Sequence, residues 1–102
     1  MQTCSSLTCH AHLIGANLSG AFLRGADLTF AELSGAKMFH ANLDKAELMQ
    51  ADLNKAELKQ ADLSGADLSG ATNLTQTQLD AACGDARTKL PEGLSVKPCS
   101  TD

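Results

Sequence analysis

Alanine recurs at every fifth position of this chain, from Ala11, Ala16 and Ala21 through to Ala71, without a break. Two residues after each comes a leucine, from Leu13 to Leu68, with Met38 the one exception. At position 73 the series ends, Asn73 standing where a leucine is due. The unit reads Ala–polar–Leu–polar–(Gly or polar), and a period of five suits neither regular element. On an α-helix each step of five turns by about 140°, so successive leucines spiral round the cylinder. On a straight strand an odd step sends each leucine to the opposite face. Lys45 to Leu63 is rich in good helix formers, but Gly15, Gly20, Gly25, Gly35, Gly65 and Gly70 would each cost a helix interior about 1 kcal/mol. A chain that bends after every five residues resolves the conflict. Each leucine then points inward, the small alanine fits the wall beside it, and glycine at the fifth place suits a corner at positive φ. Such coils stack about 4.8 Å apart, with backbone hydrogen bonds running between them. The spacing alone leaves the number of sides open.

Runs such as Ala26-Asp27-Leu28-Thr29-Phe30 and Ala66-Asp67-Leu68-Ser69-Gly70 resemble the pentapeptide repeat family, whose motif is Ala-(Asp/Asn)-Leu-x-x. The resemblance covers residues 11–73. It implies an all-β solenoid, a right-handed quadrilateral β-helix with four pentapeptides per coil and about three coils. His12, Phe22, Glu32, Lys37, Glu47, Glu57 and Thr72 depart from the usual Asp or Asn, while the inward Ala and Leu keep their places.

An open stack of coils leaves unpaired edges and an uncovered core at each end, so the flanks are expected to be caps. Residues 74–84 predict a short C-terminal capping α-helix. Thr75 is its N-cap, Gln78 completes a capping box, and Leu74 with Leu79 forms a hydrophobic staple. Gly84 is its expected stop. Leu79, Ala82 and Cys83 share one face, expected to lie over the last coil. Residues 85–102, with Pro91, Gly93 and Pro98, read as an extended tail. The stretch from Leu74 to Cys99 is similar to the C-terminal extension of some short bacterial pentapeptide repeat proteins. Residues 1–10 lie outside the register and read as an irregular N-terminal cap.

Composition narrows the function. A chain of 102 residues with 43% apolar and 20% charged residues is one small folded domain. Eight Lys and Arg against twelve Asp and Glu give a net charge of −4, which argues against direct nucleic-acid binding. No apolar run reaches the roughly 18–20 residues needed to cross a bilayer, so membrane insertion is not expected. Met1 to His10 lacks a basic start and an apolar run. The expected compartment is therefore the cytoplasm, or the periplasm or medium if a leader was removed.

Cys4, Cys9, Cys83 and Cys99 all sit in the flanks. Three pairings can be drawn. Cys83–Cys99 is the candidate disulfide, closing a loop of about 15 residues worth ~3 kcal/mol. Cys4–Cys9 requires the N-terminal segment to fold back, and four reduced thiols remain the alternative. Cys9-His10-Ala11-His12, with Cys4 near, holds enough soft and imidazole donors for a surface copper or zinc ion, but lacks the paired spacing of known zinc modules. The expectation is therefore no metal site and no cofactor, with exposed cap residues there instead. His40 is read as solvated.

With a coil of twenty residues, positions twenty apart stack into columns. Asp27, Glu47 and Asp67 then form an acidic ladder, with Glu32 and Asp52 a second on the adjoining wall. Like charges about 5 Å apart repel. A strip that meets a basic partner would explain them, and so would Asp side chains bonded to their own turns. Phe22, Phe30 and Phe39 face outward, a modest apolar patch that suggests self-association. A core filled by Leu and Ala leaves no pocket for converging polar groups, and no nucleophile–base pairing or phosphate loop is present, so no catalytic residues are expected. The leading expectation is a structural or protein-interaction module with an unidentified protein partner, monomeric or weakly dimeric. The alternative comes from the resemblance, since some family members are acidic rods that bind type II topoisomerases such as gyrase in place of DNA.

Overall fold

The computed structural model describes residues 10–99. Met1 to Cys9, and with them most of the expected N-terminal cap and the Cys4–Cys9 pairing, lie outside the described residues. Every repeat turns its corner in the same way. The Ala N–H donates to the C=O of the Leu three residues before it, as from Ala46 to Leu43 at 2.9 Å. The fifth-place residue inside the turn sits at positive φ, where glycine is free of steric cost. Gly20 adopts φ 72°, yet Phe30, His40, Lys45, Gln50, Lys55 and Gln60 are held at 59–63° in the same place. The stack therefore imposes the corner whether or not glycine is there.

Four corners close one coil. Parallel bridges join residues twenty apart and divide the surface into four walls. The first carries His12, Glu32, Asp52 and Thr72; the second Asn17, Lys37 and Glu57; the third Phe22, Asn42 and Asp62; the fourth Asp27, Glu47 and Asp67. Backbone bonds run from coil to coil on every wall. On the third, Leu43 N–H donates to Asp62 C=O at 2.8 Å and Asp62 N–H to Ala41 C=O at 3.0 Å. The architecture is a right-handed quadrilateral β-helix. Inside it, Leu33, Met38, Leu43, Leu48, Leu53, Leu63 and Leu68 are fully buried, with the alanines between them. Leu13, Leu18 and Leu23 are only partly buried, because the described residues put a coil on just one side of them.

The C-terminal flank extends the stack and corrects the expected boundaries. Thr72 opens a fourth coil on the first wall, bridged to Asp52. On the second wall a strand is replaced by α1, Gln76–Asp80, shorter than the expected 74–84. Its capping box is present: Gln78 N–H donates to the Thr75 hydroxyl, and Thr75 N–H to the Gln78 side chain. The helix closes at Ala81 rather than Gly84, because Cys83 has already joined the third wall, bridged to Asp62. Lys89 then adds a rung to the fourth wall beside Asp67, and Pro98 pairs with Gly84. The tail is thus a partial coil, with Leu90, Leu94 and Val96 packed on the core. Leu79 and Ala82, from the helix face read in the sequence, are buried over the last coil.

Candidate functional site

The acidic side chains singled out in the sequence stand on two adjoining walls. Asp27, Glu47 and Asp67 occupy consecutive rungs of the fourth, and Glu32 with Asp52 adjacent rungs of the first. Within this group the aspartates share one local bond. Asp27 Oδ1 accepts the N–H of Thr29 at 3.1 Å, Asp52 that of Asn54 at 3.0 Å, and Asp67 that of Ser69 at 3.0 Å. Asn17 and Asn42 accept the same bond at the same motif position. Asp and Asn are the residues whose short side chains reach their own backbone two places on. The Thr29 hydroxyl and amide hold the Asp27 carboxyl below the usual range, and Ser69 does the same for Asp67. One oxygen of each aspartate is thus committed to its turn, while the charge faces outward. Glu47 is exposed. The ladder ends on a cation, since Lys89 forms the next rung after Asp67.

Glu32 behaves differently from the aspartates. Its Oε2 lies 2.8 Å from His10 Nε2 and 2.9 Å from His12 Nδ1. The His10 hydrogen bond is the main cause that draws the Glu32 carboxyl below its ordinary value. The sequence marked the two histidines but not this third member. The signal was available, because twenty residues after His12 is Glu32.

At the other end, the structure brings Cys83 and Cys99 together in disulfide geometry, with Cα atoms 4.7 Å apart. Side chains complete the edge around it. Gln78 donates to the carbonyls of Leu53 and Ala56, each at 2.8 Å. Thr88 donates to Leu63 C=O at 2.8 Å, and Asp85 accepts Gly65 N–H at 3.0 Å. That last bond is the main cause that lowers the Asp85 carboxyl. Two open depressions flank the cap, one beside Ser64, Asp85 and Cys99, the other beside His40, Gln60 and Lys97. Phe22 is almost wholly exposed, at 91%, and His40 is exposed as well, whereas Phe30 and Phe39 are half-buried. Among the described residues no polar or charged residue is buried, and no helix is long and apolar enough to cross a membrane.

The family described as Pentapeptide repeats matches in eight copies over residues 10–44, 31–70 and 46–83. Among solved structures, the chain is similar to the pentapeptide repeat protein Rfr23 of the cyanobacterium Cyanothece 51142, with 35% identity and a TM-score of 0.45 over 78% of this chain and 57% of that one. It is also similar to a pentapeptide repeat protein of the Arabidopsis thaliana thylakoid lumen, with 31% identity and a TM-score of 0.49 over 79% of this chain and 59% of that one. A third likeness, at 34% identity and a TM-score of 0.43, is to a pentapeptide repeat protein of Nostoc Pcc 7120; it covers 85% of this chain and 75% of that one. The chain thus spans between half and two thirds of the first two in length. No curated protein matches it at a significant level. The unbroken Ala–Leu register, the four-walled column it builds and the family match from residue 10 to residue 83 agree: the chain belongs to the pentapeptide repeat family.

Proposed function

We propose that the protein is a structural or protein-interaction module whose contact face is the acidic corner between the first and fourth walls. The observation that carries this reading is the column Asp27–Glu47–Asp67, three carboxylates fixed on successive rungs by inter-coil bridges. Alignment of like charges about 5 Å apart is unfavourable in the free protein, and a basic partner surface would relieve it. The core gives no competing reading, since among the described residues no polar or charged residue is buried in it for a small molecule or a reaction. The topoisomerase alternative gains no support from the column. Its acidic rungs span only about 10 Å before Lys89 reverses the sign.

A labelled oligolysine peptide followed by fluorescence anisotropy tests the contact face. The triple variant Asp27→Asn, Glu47→Gln, Asp67→Asn keeps the fold, because asparagine makes the same turn bond at Asn17 and Asn42. Loss of these three surface charges is expected to lower affinity about tenfold and to flatten its salt dependence. Unchanged binding and salt dependence would remove the acidic corner as the contact. Gyrase supercoiling is expected to proceed uninhibited in the presence of the protein.

A further inference from the structure

We propose that His10, His12 and Glu32 form a binding site for a divalent transition-metal cation of the zinc class, which clips the first coil to the second. The three donor atoms lie within 4.8 Å of one another. Backbone geometry makes them converge. His12 and Glu32 are bridged partners on the first wall. Glu32 N–H bonds Ala11 C=O at 2.9 Å and Leu13 N–H bonds Glu32 C=O at 2.8 Å, which fixes both backbones. His10, two residues before His12, falls on the same side of the extended chain. The rings sit 4.8 Å apart, tilted by 43°, so both nitrogens approach one carboxylate oxygen. His10 Nδ1 is buried and bonds nothing among the described residues, which leaves Nε2 as the working nitrogen of that ring.

The residue types support the same conclusion. The aspartates of the motif tie one oxygen to a backbone amide two places on. Glutamate at position 32 instead carries its carboxylate out to the rings. Two imidazoles and one carboxylate suit zinc, and copper(II) or nickel(II) as well, rather than magnesium or calcium. Three protein ligands leave a coordination position open to water. Zinc–ligand bonds of about 2.0–2.2 Å place neighbouring tetrahedral donors roughly 3.3 Å apart. The present 2.8 and 2.9 Å contacts need open by only about half an ångström. His12, 71% exposed, is free to make that movement.

Isothermal titration of the full chain with zinc chloride, alongside thermal unfolding and side-chain nitrogen NMR of the histidines, tests the site. One equivalent of zinc is expected to bind and to raise the unfolding midpoint. It should shift the His10 Nε2 and His12 Nδ1 resonances while leaving those of His40 in place. Magnesium at the same concentration should do none of this. Glu32→Gln and His12→Ala, both at solvent-accessible positions, should each weaken binding at least tenfold without loss of the column. Failure to bind zinc, or binding that both variants retain, would overturn the site and assign any bound zinc to other residues.

Discussion

Positive φ at the fifth place of every repeat is the conformational demand on which the column rests. An L-residue there pays roughly 1–2 kcal/mol in backbone strain that glycine avoids. Gly35 isolates this effect, because a Cβ added at its φ of +69° would meet nothing within 4 Å. Gly35→Ala is therefore expected to lower stability by about 1 kcal/mol in urea unfolding, with the fold retained; no loss would mean that the corner tolerates any residue. The glycines at the other corners were legible as corners from their spacing alone. That Phe30 and Lys55 adopt the same geometry was not, because only the neighbouring rungs enforce it. The His–Glu cluster escaped a reading of ligand spacing along the chain for a related reason. Its third member is contributed by the next coil, and only column arithmetic brings residue 32 beside residue 12.

At the scale of elements, the cap departs from the repeat by small insertions. Asp62 pairs with Cys83 and Asp67 with Lys89, offsets of 21 and 22 in place of 20. One and two extra residues were enough to hide these rungs from a fixed count, so residues 85–102 read as an extended tail. The helix itself was legible through Thr75 and Gln78, whose capping signature is local. Its end was not, because Gly84 suggested a helix stop yet serves close packing. A Cβ at Gly84 would lie 2.6 Å from Thr88 Oγ1 and 2.8 Å from Val96 Cγ1. We propose that Cys83–Cys99 is a staple for this partial coil, tying its third-wall strand to the end of the described chain. Cys99→Ser is then expected to cost about 3 kcal/mol by the loop-closure argument. The loss would be read as weaker amide protection at Cys83 and Lys89 than at Leu43; equal protection in both proteins would contradict the staple.

For the whole molecule, burial of leucine and alanine supplies the cohesion and carboxylates at the turns and cap tune it. The carboxyls of Asp27, Asp67 and Asp85 are all lowered in the folded state by the hydrogen bonds they accept. A lowered folded-state value contributes stability above the unfolded value, near 4, which disappears as pH falls through the folded one. The urea midpoint is therefore expected to be flat from pH 7 to about 5 and to drop below about 4; a midpoint that rises on acidification would show the opposite linkage. The central claim is that residues twenty apart are stacked and hydrogen-bonded on four walls. Scalar couplings across hydrogen bonds, measured by NMR on labelled protein, test it most directly. Couplings from the amide of Leu43 to the carbonyl of Asp62, and from the amide of Asp62 to that of Ala41, are predicted, with their counterparts on the other three walls. Couplings confined to partners four residues apart would instead describe a helix and contradict the column.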